Sequence, residues 1–296
     1  MPAFDRYGMW LGSTWAYRRF KLHHTEINDL YWSFAPVAGY ADYLARHATP
    51  AATPTTLFFA TGPDARRLAP SVGKWQQDLK EFQNWVRLAS LLSVVSYFEI
   101  YMRDAITIAL RSDPLARFGR PKMMDGVTWL KEGLRDHVEP LIRDCLMREW
   151  PKRIRAYRTL FGSVPSEITG NVPALENIRS VRNSVGHTFG RNPVSTRGDI
   201  LRVGVTASQR LAEARFKRWL GLIDELAGAI DRHLGPKHIG EFETLLLYHH
   251  WKDEPRIGRA KSFTEQRAFS RKLHDISGST PGTEFSRLLI RHYNRA

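Results

Sequence analysis

The longest periodic pattern in this 296-residue sequence is a run of apolar residues that predicts one long α-helix. Between Trp75 and Arg111 an apolar side chain recurs every three or four residues, the spacing of one helix face. These positions are Leu79, Phe82, Val86, Leu88, Leu91, Val95, Phe98, Met102, Ile106 and Leu110. Because Glu99, Arg103 and Asp104 interrupt the run, the pattern indicates a core helix and no membrane-spanning segment.

Further segments carry the helical period or are bounded by helix start and stop signals. They cover residues 123–150, interrupted or bent at Pro140, then 152–161, 175–190, 207–234, 240–251, 263–274 and 283–293. Segment 56–61 is predicted as a short strand or a buried connector, and 200–205 as a strand or hairpin arm. The sequence therefore predicts an all-α fold, an up-and-down helical bundle over residues 76–235 with a C-terminal helical extension over 236–296.

Residues 1–75 form a third predicted region, an N-terminal extension whose first fifty residues are dense in aromatic side chains. The aromatic residues are Phe4, Tyr7, Trp10, Trp15, Tyr17, Phe20, Tyr31, Trp32, Phe34, Tyr40 and Tyr43. Aromatic rings bury large areas when they pack. We therefore expect this extension to pack on the helical bundle or on a second subunit.

The charge of the chain favours a polyanionic partner. It carries 44 Lys and Arg side chains against 30 Asp and Glu, a formal net charge of +14. Arg supplies 33 of the basic residues, and a guanidinium suits bidentate contacts with phosphate. The alternative is that the Arg-rich composition reflects genomic base composition and has no role in binding.

Cys145 is the single cysteine, so no disulfide can form within the chain, and a reducing, cytoplasmic location is expected. Its apolar neighbours predict a packed helix face rather than a catalytic thiol. The N-terminus lacks the apolar stretch of a signal peptide, and no association with a membrane is expected.

A short motif, Arg182-Asn183-x-x-x-His187, is the strongest candidate for chemistry. With 33 Arg, 7 Asn and 11 His in the chain, chance yields this combination in about three of a hundred such sequences. Cleaving RNA without a metal needs a base for the 2′-hydroxyl, a cation for the phosphorane and an acid for the leaving 5′-oxygen. An imidazole and a guanidinium can supply these functions near neutral pH.

The motif lies near the end of the predicted helix 175–190. Asn171 is the predicted N-cap, with a side chain that accepts from the first-turn amides, and His187 falls in the last turn. Five residues apart, Arg182 and His187 are separated by about 140° around an intact helix. They can converge on one phosphate if the last turn unwinds at Gly186, or if a two-fold dimer brings two motif helices together.

Together with Ser96-Tyr97-Phe98-Glu99-Ile100-Tyr101 on the long upstream helix, the motif resembles the HEPN superfamily of all-helical domains over roughly residues 81–234. Many members of that superfamily are metal-independent ribonucleases in toxin–antitoxin, phage-defence and RNA-processing systems. The resemblance implies a homodimer with a composite active site, RNA as the substrate, and a cognate antitoxin or neutralising protein. It further implies His187 as general base or acid, Arg182 as the phosphate-binding cation, Asn183 as an orienting amide, and Glu99 as the acid that holds Arg182.

Further RNA contacts are predicted at Arg179 on the motif helix and at a basic segment upstream. The cations of that segment are Lys152, Arg153, Arg155 and Arg158. Trp150 and Tyr157 lie among them and are predicted to stack on a base, although a solvated helix face is the alternative. The sequence shows no metal-ligand spacing and no nucleotide-binding motif, so we expect neither a metal nor a cofactor.

The sequence thus predicts a metal-independent endoribonuclease. One alternative is a non-catalytic module that binds RNA or a nucleotide in the same cleft. Another is a structural interaction protein, in which His187 only interacts with the helix dipole and Arg182 forms a buried ion pair with Glu99.

Overall fold

A computed structural model describes residues 4–134, 137–188, 209–253 and 265–296. Every regular element among these residues is helical, and no strand occurs in this part of the chain. The predicted all-α fold class is therefore confirmed. None of the described helices combines the length and the apolar character that crossing a bilayer requires.

The described residues form twelve α-helices, which we number in chain order. They are α1 (Trp15–Arg46), α2 (Pro54–Leu57), α3 (Val72–Ser112), α4 (Gly126–Lys131), α5 (Glu139–Leu146), α6 (Trp150–Phe161), α7 (Ser166–Gly170), α8 (Val172–Thr188), α9 (Glu213–Leu234), α10 (Phe242–Lys252), α11 (Glu265–Ser277) and α12 (Thr283–Arg295). Two 3₁₀ turns, Pro63–Arg67 and Ala116–Phe118, and a π-helical turn, Gly235–Ile239, complete the regular structure of these residues. The long helix α3 and the three helices of the C-terminal extension lie close to their predicted limits.

Two local predictions differ from the structure. Residues 123–150 are interrupted, but the break lies between α4 and α5 and not at Pro140, which lies in the first turn of α5, where its missing amide needs no partner. Neither alternative predicted for 56–61, a strand or a buried connector, is found, because residues 56 and 57 end the short helix α2 and Phe59 beyond it is 88% exposed. Thr53 and Thr56 cap the N-terminus of α2 reciprocally. The predicted strand or hairpin arm at 200–205 lies outside the described residues.

The chain forms two compact units, each built from discontinuous segments. Unit 1 comprises Met1–Phe20, Phe98–Pro173 and Asp224–Ala296, and unit 2 comprises Lys21–Tyr97 and Ala174–Ile223. The three predicted regions, 1–75, 76–235 and 236–296, stay a prediction.

A buried cluster in unit 1 joins α4 to the C-terminal helices α10, α11 and α12. Its members include Val127, Phe242, Leu245, Tyr248, Phe269, Leu273, Phe285, Leu289 and Tyr293. N-terminal aromatic residues pack against this cluster, with the rings of Phe4 and Trp10 centred 5.6 and 5.7 Å from that of Phe285. Phe4 and Trp10 thus pack on the predicted C-terminal extension and not on the bundle 76–235. The expected packing on the bundle is observed for Phe20, whose ring is centred 6.1 Å from that of Phe98.

A buried ion pair also attaches the N-terminal segment to other parts of unit 1. Arg6 is buried, and its Nε lies 3.0 Å from Oδ2 of Asp125, which also lies 2.8 Å from Nε2 of His292. Burial favours the protonated form of Asp125, but its hydrogen bonds with His292 and Arg6 outweigh this effect and hold its pKa well below the usual range. Asp125 therefore remains ionised at neutral pH and joins the chain start, α4 and α12.

In unit 2, α1 and the first part of α3 run antiparallel. The ring of His23 is centred 4.1 Å from that of Tyr97, and the ring of Phe34 is centred 5.6 Å from that of Phe82. Positions that rise along α1 therefore fall along α3. Helix α8 also belongs to this unit from Ala174 onward.

Candidate functional site

Helix α8 carries the Arg-Asn-x-x-x-His motif on a frame of buried apolar residues. Its buried side chains are Leu175, Ile178, Val181 and Val185, spaced three or four residues apart on one face. The N-terminus differs from the prediction, because Nδ2 of Asn171 donates to the carbonyl of Glu167 over 2.8 Å. The predicted cap instead had the Asn171 side chain accept from the first turn of α8.

Arg182 and Asn183 contact each other on α8, and both are half-buried. Nη1 of Arg182 donates to Oδ1 of Asn183 over 3.3 Å. The carboxamide oxygen faces the guanidinium in this arrangement, so the NH₂ group of Asn183 points away from it. Two of the three predicted catalytic side chains are therefore adjacent.

Helix α8 remains intact through the end of the motif. It is α-helical through Gly186 and His187 to Thr188, so the predicted alternative in which the last turn unwinds at Gly186 is wrong. The backbone positions of Arg182 and His187 consequently lie about 140° apart around the helix axis. Gly186 is exposed, and a β-carbon built on it meets no atom within 4 Å. The side chain of His187 lies outside the described residues.

Glu99, the predicted partner of Arg182, lies on α3 in unit 1 and faces Arg153. Its Oε1 is 3.8 Å from Nη1 of Arg153, a separation at which the two charges still attract each other. The pairing of Glu99 with Arg182 stays a prediction.

The predicted RNA-contacting residues of α6 differ in their exposure. Lys152, Arg155 and Arg158 are exposed, and Lys152 pairs with Glu149 at 3.0 Å. Arg153 is instead buried, because its Nε donates to the carbonyl of Arg148 over 2.9 Å and its guanidinium lies over the ring of Trp150. Arg153 is therefore not available to contact RNA.

The base-stacking role predicted for two aromatic rings of α6 is wrong. Trp150 and Tyr157 are both buried in unit 1 and present no open ring face to a ligand. On α8, Arg179 is half-buried and pairs with Glu176 at 2.8 Å. Arg179, Arg182 and Asn183 thus belong to unit 2, whereas the α6 cations and Glu99 belong to unit 1.

The sequence of unit 2 is strongly basic. It contains 16 Lys and Arg residues against 9 Asp and Glu, and this net charge of +7 is half of the +14 carried by the whole chain. A charge of this size attracts phosphate-rich ligands over a distance set by the ionic strength. The motif helix therefore lies in a unit whose charge suits a nucleic acid.

A hydrogen-bonded chain surrounds His233, a residue that no motif in the sequence marks. Its Nδ1 lies 2.8 Å from the hydroxyl of buried Tyr157, and its Nε2 lies 2.9 Å from Oγ of exposed Ser163. Burial, with Lys237 and His238 nearby, lowers the pKa of His233 to about 4, so the ring is neutral at pH 7. A tyrosine hydroxyl buried with one partner donates to it, which leaves the ring proton on Nε2 and makes Ser163 the acceptor.

Two residues with nucleophilic atoms are therefore unsuited to attack. Ser163 accepts a hydrogen bond from Nε2–H of His233 and donates none to that ring, so His233 does not act as a base for its hydroxyl. Cys145 is buried, and burial raises the pKa of its thiol to about 12, so it is protonated at neutral pH. The structural role predicted for Cys145 agrees with this environment.

Comparisons with other proteins give no relative from which a function can be transferred. No protein-family model matches the chain. Searches among curated proteins and among solved structures likewise find no match. Arguments about function therefore depend on the geometry and charge of the chain itself.

Proposed function

We propose that this chain is a metal-independent endoribonuclease with a HEPN-like active site on α8. The observation that carries the proposal is the adjacent pair Arg182 and Asn183 on an intact helix that continues through Gly186 to His187. A cation, an amide and an imidazole within one short segment are the groups that phosphodiester cleavage needs. The net charge of +14 supports RNA as the substrate.

In the proposed reaction, His187 accepts the proton of the RNA 2′-hydroxyl as its oxygen attacks the adjacent phosphorus. The new bond from phosphorus to the 2′-oxygen forms while the bond to the 5′-oxygen breaks, which gives a 2′,3′-cyclic phosphate. The leaving 5′-oxygen takes a proton from water. Arg182 stabilises the additional negative charge on the phosphorane, and Asn183 orients the guanidinium or the substrate.

The proposed active site is composite. Because Arg182 and His187 are about 140° apart on the intact α8, one helix does not direct both at the same phosphate. A two-fold homodimer solves this, since Arg182 of one protomer acts with His187 of the partner subunit in each of two equivalent sites.

The proposed biological setting is prokaryotic defence or toxin–antitoxin growth control, with a cognate antitoxin or neutralising protein. This part of the proposal derives from the resemblance to the HEPN superfamily. The cytoplasmic location stays a prediction.

The test is cleavage of single-stranded RNA by purified protein in the presence of EDTA. We expect His187→Ala and Arg182→Ala each to lower the cleavage rate by about 10²- to 10⁴-fold, the usual range for general acid–base groups. His23→Ala is the matched control, because Arg18 and His23 have the same spacing without the adjacent Asn. Undiminished cleavage by folded His187→Ala protein would refute the proposal. Binding of RNA without cleavage would favour the non-catalytic module, and neither binding nor cleavage would favour a structural role.

A further inference from the structure

The end of α3 and the connection to α4 concentrate positive charge. We call residues 111–123 the basic loop, and its cations are Arg111, Arg117, Arg120 and Lys122. Among the described residues, none of these four pairs with a carboxylate. Some surface cations elsewhere in unit 1 do so, for example Arg103 with Glu139 at 2.6 Å. The basic loop therefore carries four cations that form no ion pair with the described residues, and with Asp113 its net charge is +3.

An exposed aromatic ring lies among these cations. Phe118 is 65% exposed, and the guanidinium carbon of Arg117 lies 4.9 Å from its ring centroid. A cation on one face of the ring leaves the opposite face open to a ligand. An open aromatic face beside unneutralised cations is the arrangement that single-stranded nucleic acids recognise by stacking.

The basic loop is held in one conformation by Asp113, which is fully buried. One carboxylate oxygen of Asp113 accepts from the backbone amide of Lys122 over 2.9 Å. The other lies 2.9 Å from Nδ1 of His238, which must carry the proton because a carboxylate only accepts. Ser112 adds a bond of 2.6 Å from its hydroxyl to the His238 carbonyl. A ligand would therefore meet a preformed surface and lose little affinity to ordering the loop.

A further cation, Lys237, lies next to a residue that the basic loop contacts. Nζ of Lys122 lies 3.4 Å from the carbonyl of Pro236 and 4.0 Å from the ring centroid of Tyr7. Lys237, next to Pro236, is exposed. Lys122 and Lys237 thus extend the positive surface from the loop to the π-helical turn within unit 1.

We propose that the basic loop and Lys237 bind single-stranded RNA, with a base stacked on Phe118 and phosphates on Arg120, Lys122 and Lys237. The choice of RNA as the polyanion rests on the proposed function, but the site belongs to unit 1 and shares no residue with α8. An anionic lipid surface fits less well, since Arg117 covers one face of Phe118 and would accompany the ring into the acyl region.

The test measures binding of a short fluorescein-labelled oligouridine to His187→Ala protein, which prevents cleavage, by fluorescence anisotropy. In that background, Phe118→Ala is expected to weaken binding about tenfold through loss of one stacked base. Arg120→Gln is expected to reduce the slope of log affinity against log salt by about one.

Two controls match these changes. Phe59→Ala removes a phenylalanine that is 88% exposed, lies in unit 2 and has no cation within six residues in the sequence. Arg287→Gln removes an exposed arginine that pairs with Glu284 at 2.5 Å. Both controls should bind oligouridine as the His187→Ala parent does.

Each outcome decides between the proposals. Unchanged affinity in both Phe118→Ala and Arg120→Gln would overturn the RNA site, even if His187→Ala abolishes cleavage and so supports the nuclease. If the wild-type chain never cleaves RNA but binds oligouridine in a way that the basic-loop variants weaken, the result would support the RNA site and refute the nuclease proposal. Binding to phosphatidylserine vesicles that requires Phe118, with oligouridine binding unaffected, would overturn the RNA site in favour of a lipid surface.

Discussion

Glu243 caps the first turn of α1 from another helix, because its carboxylate accepts a hydrogen bond from the backbone amide of Trp15 over 2.8 Å. Glu241, at the start of α10, holds the backbone amide of Trp10 in the same way over 2.6 Å. Burial raises the pKa of each carboxyl group to about 7. The N-terminal segment is thus attached to α10 and its N-cap through two carboxyl groups, and folding raises the pKa of each.

Replacing Glu241 with Gln should stabilise the fold at alkaline pH. Between pH 4.5, the ordinary pKa of Glu, and about 7, the folded chain keeps a proton that the unfolded chain releases, so the free energy of unfolding falls as pH rises. Gln keeps an acceptor for Trp10 and has no charge to bury, and Thr244 can reorient to accept from its NH₂ group. We expect Glu241→Gln to be about 2 kcal/mol more stable than wild type at pH 8, with a smaller difference at pH 5.

Urea unfolding followed by circular dichroism at pH 5 and pH 8 measures this difference. Glu243→Gln should gain less, because Glu243 also accepts from the amide of Ala16 and one amide would then face an NH₂ group. Glu132→Gln, at an exposed position, is the control and should follow the wild-type pH dependence. A Glu241→Gln variant that is less stable than wild type at pH 8 would contradict the prediction.

Gly240 should not tolerate alanine. Its φ is +51°, and a β-carbon would lie 2.1 Å from the carbonyl oxygen of Arg6. Alanine would strain the backbone at this φ, and its β-carbon would displace the Arg6 segment. Because these two costs add together, we expect Gly240→Ala to lower the free energy of unfolding by about 3 kcal/mol. Gly278 has a similar φ of +69° with open space around it, and Gly278→Ala should cost only about 1 kcal/mol. Equal losses, measured by urea unfolding, would show that the contact with Arg6 contributes nothing.

The sequence predicts the features that a single helical period determines. The apolar spacing predicts α3, and the same period places Arg153 on the face of Trp150 and Tyr157, although its charge suggested an RNA contact. The residue type and charge of Arg153 do not by themselves predict that its guanidinium lies over the ring of Trp150. Asp113 and His238 are far apart in the sequence, and no local pattern relates them. The basic loop they hold was therefore not recognised from the sequence.

Replacing Gly186 with Ala should raise the stability of the chain and lower its RNA cleavage. Alanine at this exposed helical position meets no atom within 4 Å and should stabilise the chain by about 0.5–1 kcal/mol. If a phosphate or the partner's α8 approaches closely at Gly186, the added methyl group should lower RNA cleavage about tenfold or more. Ser180→Ala, at an exposed position on the same helix, is the control and should leave cleavage unchanged. Equal cleavage by the two alanine variants would argue against a close approach at Gly186.

A composite active site predicts that two inactive variants restore activity when mixed. In a dimer formed by one Arg182→Ala chain and one His187→Ala chain, one site receives both intact side chains and the other receives neither. Random mixing of equal amounts makes half of the dimers mixed, so about a quarter of wild-type cleavage should return. The variants are unfolded together, refolded and assayed with RNA in EDTA, and each variant refolded alone is the control. Cleavage by the mixture no greater than by the separate variants would mean that Arg182 and His187 do not act across a dimer.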